Sequence, residues 1–144
     1  MKVGIAADHA GYHLKELLKP YMEEMGIDLV DFGAFSAEAS DYPDIAHPLA
    51  TAVEKGQVDR GVSFCGSGQG VCMTANKHAG IRAALVWNED VTAVTRRHND
   101  ANIICLPARY IDEETARKMV EIFIATEFEG GRHLRRIQKI PLAE

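Results

Sequence analysis

Short apolar runs alternate along the chain with longer amphipathic stretches. The run Lys2–Ala7 (KVGIAA) reads as a buried strand. Behind it Leu14, Leu17, Leu18, Tyr21, Met22 and Met25 recur at helical spacing, which predicts a helix over Ala10–Met25 closed by Gly26 as a C-cap glycine. The alternation continues with a strand over Asp28–Gly33 and a helix over Tyr42–Lys55 that Gly56 ends. Next come a strand at Gly61–Phe64, a helix at Gly70–His78 closed by Gly80, a strand at Arg82–Trp87 and a helix at Glu89–His98. A strand at Asn102–Leu106 and a helix at Asp112–Thr126 complete the series, and after Gly130-Gly131 the basic segment RHLRRIQKI predicts a short last helix. Strand–helix units joined by short loops imply an α/β fold: a mostly parallel five-stranded sheet with helices on both faces, a three-layer α/β/α sandwich. Neither a linker nor a low-complexity segment interrupts the pattern, so residues 1–144 are expected to form one domain.

This architecture says where chemistry should sit. In open parallel sheets ligands bind beyond the carboxyl ends of the strands. The loops Asp8–Gly11 (DHAG), Cys65–Gly70 (CGSGQG) and Pro107–Tyr110 (PARY) all lie at that end, so Asp8, His9, Cys65 and Arg109 can converge. Each helix runs back to the opposite end. Arg96–Asp100 (RRHND) and Glu129–Arg136 (EGGRHLRR) therefore fall far from Cys65 in the same chain. If both groups serve one site, that site forms between two chains.

The loop after the third strand carries the strongest local signal. Gly66, Gly68 and Gly70 stand at alternate positions behind a cysteine and before a helix. Such spacing frees successive backbone N–H groups to form an anion nest, helped by the helix start. A tight strand–helix turn with no ligand is the plainer alternative. Val71 excludes three specific readings. A Walker A loop needs Lys after its last glycine, a dinucleotide fingerprint needs GxGxxG, and a cysteine phosphatase needs Arg at position 71. What remains is a thiol beside a nest, a pairing suited to proton abstraction next to a carbonyl with an enediolate intermediate.

Other chemistry-bearing residues divide by position. Cys72 and Cys105, inside a helix and a strand, read as small buried hydrophobes. Tyr42 precedes Pro43 and can reach a ligand-end loop or simply pack. His9 and His13 have a spacing that can hold a metal, but no carboxylate-rich partner motif accompanies them, and no metal site is expected. His47 and His78 read as surface or capping residues, and His98 as part of a solvated helix end. Arg132 and Arg136, four apart on one helix face with Arg135 and Lys139 nearby, are either a solvated face or a phosphate clamp.

Charge and cysteine usage narrow the function classes. A formal net charge of −5 argues against a general nucleic-acid binder. Three scattered cysteines and no CxxC pair argue against a disulfide framework or a zinc site and for a reducing compartment. No signal peptide or membrane-length apolar run is present, so a cytoplasmic protein is expected.

The stretches ADHAG (Ala7–Gly11), SDYPD (Ser40–Asp44), CGSGQG, ANKHAGIRA (Ala75–Ala83), RRHNDANI (Arg96–Ile103) and EGGRH (Glu129–His133) together resemble the type B ribose-5-phosphate isomerases, within the family that also holds allose- and galactose-6-phosphate isomerases. The resemblance runs nearly end to end. It implies a Rossmann-like sheet, a C-terminal helix extending to a partner subunit, and isomerisation of ribose 5-phosphate and ribulose 5-phosphate in the pentose phosphate pathway without cofactor or metal. Carried over motif by motif, Cys65 is the base between C1 and C2, His98 opens the furanose ring, and Asp8 helps to bind the ring oxygens. The amides of Gly66, Ser67, Gly68, Gln69 and Gly70 hold the enediolate, and Asn99 contacts the sugar. His9, Arg132, Arg136 and Arg109 bind phosphate. Cys65 together with Val71 puts the chain in the branch that uses a cysteine base, and Ser67 keeps the hydroxyl where many members have Thr. The partners implied are a small phosphorylated sugar and a second copy of the chain, as a homodimer or dimer of dimers. Isomerisation of allose or galactose 6-phosphate is the alternative activity, and a non-catalytic phosphosugar-binding subunit the alternative class.

Overall fold

The computed structural model describes residues 1–143. Its elements are β1 (Lys2–Ala7), α1 (Tyr12–Glu24), β2 (Asp28–Asp31), α2 (Pro43–Glu54), β3 (Arg60–Cys65) and α3 (Gln69–Ala75), followed by β4 (Ala83–Leu85), α4 (Glu89–Asn99), β5 (Ile103–Pro107), α5 (Glu113–Ala125) and α6 (Arg132–Ile137). All strand pairings are parallel, in the order β2-β1-β3-β5-β4. The expected five-stranded parallel sheet is present. What the local pattern could not show is that β5 lies inside β4.

The order assigns the helices to faces. The chain steps from β1 out to β2, then back past β1 to β3, so right-handed crossovers put α1 and α2 on opposite faces. Helices α2 and α3 share one face over a core of Ala46, Leu49, Ala50, Val71, Ala75 and Ile103. On the other face α1, α4 and α5 cover Ile5, Leu18, Met22, Phe64, Leu106, Met119 and Phe123. The central strands are buried on both sides, which is why β1, β3 and β5 read as nearly continuous apolar runs.

Several elements are shorter than their sequence pattern, each for a local reason. Asp8 Oδ1 accepts from the N–H groups of Ala10 and Gly11, which delays α1 to Tyr12. At the end of α3, Asn76 imitates a strand neighbour for β4: its amide donates to Ala83 O and its carbonyl accepts from Ala83 N–H, both at 2.9 Å. Helix α6 packs on α4 of its own chain through His133 and Ile137, leaving Arg132, Arg135 and Arg136 exposed. No helix among the described residues is long and apolar enough to cross a membrane.

Candidate active site

The crossover order makes β1 and β3 neighbours whose following helices go to opposite faces, which opens a crevice at their carboxyl ends. A cleft of about 220 Å³ lies there, lined by Asp8, His9, Tyr42, Cys65, Ser67 and Arg109 together with Gly66 and Gly70. The three loops expected at the ligand end therefore do converge.

Asp8 is only 6 % exposed. One of its oxygens is committed to the start of α1. Among the described residues Oδ2 has no such partner, so Asp8 can offer a ligand one oxygen rather than two. His9 is fixed by Ser40: its backbone N–H donates to Ser40 Oγ at 3.1 Å, and the Ser40 backbone brackets Nδ1 at 3.2 Å. Nε2 is left as the ring nitrogen that can meet a ligand. The same segment lines a larger adjoining hollow of about 510 Å³ with Asp8, His9, Ser40, Asp41 and Tyr42.

Cys65 ends β3 and is 4 % exposed. Its carbonyl accepts from Ala108 N–H at 2.9 Å and that of Gly66 from Arg109 N–H at 3.0 Å, which ties this loop to the one after β5. Gly66 seats Arg109, because a Cβ there would stand 3.0 Å from Nη1. Gly70 similarly leaves room for the Tyr42 ring. The N–H groups of Ser67 and Gly68 make no hydrogen bond among the described residues, as an anion nest requires. Two expected members depart from that picture. The N–H of Gln69 is taken by Ser67 Oγ at 3.3 Å, and Gln69 lines a different hollow with Cys72, Met73, Asn76 and Lys77. Gly68, at φ 74°, turns toward Leu85 and Pro107 rather than lining the cleft.

The second expected group gathers elsewhere. Register pairs Gly61 with Ile103 and Cys65 with Pro107, so His98 and Asn99 precede the strand end opposite to Cys65. Four strand steps alone separate the two ends by roughly 13 Å. Asn99 lines a hollow with Asn76, Arg82, Ala83, Thr95 and Ile140. The end of α4 is held firmly. Arg96, 3 % exposed, reaches Thr126 O, Ala101 O and Asp100 Oδ1, while Arg82 Nε reaches the carbonyls of Asn99 and Asp100.

Two residues not singled out as site residues flank His98. The His133 ring stacks on it, with centroids 4.2 Å apart and planes 11° from parallel, and Glu129 Oε1 lies 3.9 Å from His98 Nε2. Burial pushes the pKa of His133 down, and Arg132, His98 and Arg136 add to this against Glu129. Ligating atoms of His98, Glu129 and His133 fall within 4.8 Å of one another. Parallel rings, however, aim their lone pairs side by side rather than at one point, so the arrangement is a stack and not a chelate. Both residues stand inside the EGGRH stretch, but only the turn at Gly130 and Gly131, both at positive φ, brings them onto α4.

The remaining candidates have structural places. His9 precedes α1 and exposed His13 lies within it, so the two share no helical face. His47 and His78 pair with each other at 2.7 Å, and Glu54, with His78 on one oxygen and Gly80 N–H on the other, ties α2 to the turn after α3. Cys105 is fully buried, which raises its thiol pKa well above the usual value, and Cys72 is half-buried.

Residues 3–140 match the Ribose/Galactose Isomerase family. The chain is 36 % identical over 143 residues to ribose-5-phosphate isomerase B of Escherichia coli (strain K12), covering 99 % of this chain and 96 % of that one. Its fold is similar to ribose-5-phosphate isomerase B of Clostridium thermocellum, with TM-score 0.96, 42 % identity and coverage of 97 % and 95 %. It is also similar to ribose-5-phosphate isomerase B of Mycoplasma genitalium, solved with bound ribulose-5-phosphate, with TM-score 0.92, 41 % identity and coverage of 96 % and 93 %.

Proposed function

This chain belongs to the ribose/galactose isomerase family, and on that premise we propose that it is an aldose–ketose isomerase interconverting ribose 5-phosphate and ribulose 5-phosphate, a step of the pentose phosphate pathway, with residues 1–144 as one catalytic domain. The observation that carries the reading is the cleft that Cys65 lines together with Ser67, whose backbone N–H makes no hydrogen bond among the described residues.

The chemistry follows from those groups. Ribose 5-phosphate arrives as a furanose. His98 moves a proton from the C1 hydroxyl to the ring oxygen, the C1–O4 bond breaks, and an open aldehyde results. The Cys65 thiolate then takes the proton from C2, and the electron pair moves onto the C1 oxygen. Backbone N–H groups aimed at that oxygen stabilise the enediolate more than the starting aldehyde, which is what lowers the barrier. A proton passes from the C2 hydroxyl to the C1 oxygen, Cys65 returns its proton to C1, and the C2 carbonyl of the ketose results. Asp8 and Ser67, which line the same cleft, hold sugar hydroxyls. His9 and Arg109 line the cleft and meet the phosphate there, and exposed Arg132 and Arg136 supply a two-armed phosphate clamp.

The two residue groups line no common hollow among the described residues. The site is therefore completed by a second copy: Asp8, His9, Cys65 and Arg109 from one chain, His98, Asn99, Arg132 and Arg136 from the other. A homodimer with two equivalent sites results, either alone or paired into a dimer of dimers.

An isomerase assay on ribose 5-phosphate beside allose 6-phosphate and galactose 6-phosphate tests the reading. Turnover of the pentose ester in preference to both hexose esters is expected. Cys65→Ala is expected to lower kcat by about 100-fold or more, the scale of lost general-base catalysis. Wild-type turnover of a hexose ester alone would assign the substrate to the other branch, and an undiminished Cys65→Ala rate would remove Cys65 as the base.

A further inference from the structure

His133 is 6 % exposed, and its Nε2 is buried without a hydrogen-bond partner. An orphaned polar atom is unfavourable, and an aliphatic side chain would fill the same space without one. What an aliphatic chain cannot supply is a flat face. The ring of His133 lies parallel to that of His98 at 4.2 Å, on the side facing its own chain, while the Glu129 carboxylate stands 3.9 Å from His98 Nε2. The His98 side chain nonetheless remains 37 % exposed. A half-exposed histidine on a helix end would ordinarily sample several orientations. Here a buried ring allows only one plane.

We propose that His133 is a positioning residue for ring opening: its buried ring fixes the plane of His98, Glu129 faces the Nε2 edge, and together they direct the proton that His98 passes to the sugar in the partner's cleft. The inference rests on the reading of His98 as the ring-opening acid and base. The ring of His133 lies flat against His98 and the Glu129 carboxylate stands at its Nε2 edge, so a proton taken up by His98 lies over a π face and beside a carboxylate. Burial and the nearby Arg132 and Arg136 disfavour a second charge on His133. Two stacked imidazolium rings would instead repel.

The reaction itself separates this role from a merely structural one. Ribose 5-phosphate must be opened before its C2 proton can move. Ribulose 5-phosphate carries its phosphate on the oxygen that would close the ring, so it is open-chain. Exchange of its C1 proton with solvent deuterium therefore needs Cys65 but no ring chemistry. His133→Ala is expected to lower kcat on ribose 5-phosphate by roughly tenfold or more, the scale of a misplaced catalytic group. It should leave deuterium exchange into ribulose 5-phosphate at the wild-type rate. His133→Phe, which restores a flat ring without the orphaned nitrogen, is expected to recover most of the loss, and His133→Leu, of similar bulk without the flat face, is not. If His133→Ala fails to fold, the Phe and Leu pair carries the same comparison. Equal losses in turnover and exchange, no loss, or equal rates for Phe and Leu would each overturn the proposal. His98→Ala is measured in parallel. Equal losses from that variant would overturn the ring-opening reading as well, whereas a selective loss from His98→Ala but not from His133→Ala would overturn this inference alone.

Discussion

Gly66, Gly68 and Gly70 keep their positions because of three different neighbours, and the differences predict three different phenotypes. At Gly68 the backbone is left-handed at φ 74°, and a Cβ would meet Leu85 Cδ1 at 2.5 Å, with the backbone of Pro107 close behind. Gly68→Ala combines strain and overpacking and is expected to lower stability by about 2 kcal/mol, measurable by urea denaturation. At Gly66 the obstructing atoms are the far end of flexible Arg109. Gly66→Ala should leave the denaturation midpoint nearly unchanged and raise KM, because only the guanidinium is displaced. At Gly70 the neighbour is the Tyr42 ring, so Gly70→Ala moves an aromatic wall of the cleft. The alternating glycines stand out in the sequence, but the neighbours that require them do not. Nothing local to the loop announces that Arg109 and Tyr42, from loops distant in the chain, press against it.

At the scale of elements, two buried cations do the fastening. Arg96 joins the end of α4 to the end of α5 through Thr126 O and closes the turn after α4 through Asp100 Oδ1 and Ala101 O. Arg96→Leu is expected to cost about 3 kcal/mol by the strength of charge-assisted bonds, and Arg96→Lys should not rescue it, since a single ammonium cannot reproduce the fork. Chemical denaturation of the two variants checks both statements. Lys15, fully buried, reaches both oxygens of Asp31 and the carbonyl of Ala34, pinning α1 to β2 and the segment behind it. Burial pushes the Asp31 carboxyl up, but Lys15, Lys19 and the Gly33 N–H more than offset this and leave its pKa below the usual value of 3.8. The sign follows: the unfolded state binds the proton more readily, so this contribution is whole above pH 3.8 and lost as pH falls through the lowered folded value. Asp31→Asn should flatten that acid limb of a stability–pH profile. The helices and strands were legible from periodicity because packing on a sheet repeats with the element. The bonds at their ends were not, since Arg96 and Lys15 look in sequence like ordinary polar positions on an amphipathic face.

For the whole molecule, the separation of Cys65 from His98 within one chain yields a test by mixing. In the proposed dimer with shared sites, Cys65→Ala and His98→Ala are each expected to be inactive, whereas subunit exchange between them creates heterodimers with one intact site, so activity should climb toward about a quarter of wild type. No recovery after demonstrated exchange would place each site within one chain. The opposite ends of the sheet could be assigned from sequence, because parallel βα units always run the same way. Strand order could not, because it depends on which edge each crossover reaches. That order bears on how the chain is made. Strand β4 pairs with β5 alone, yet it is synthesised first, and the place between β3 and β4 stays vacant until Ile103–Pro107 emerges. On the ribosome the β2-β1-β3 half can assemble while β4 has only Asn76 and α3 beside it, and β5 is the last strand to be placed between the two.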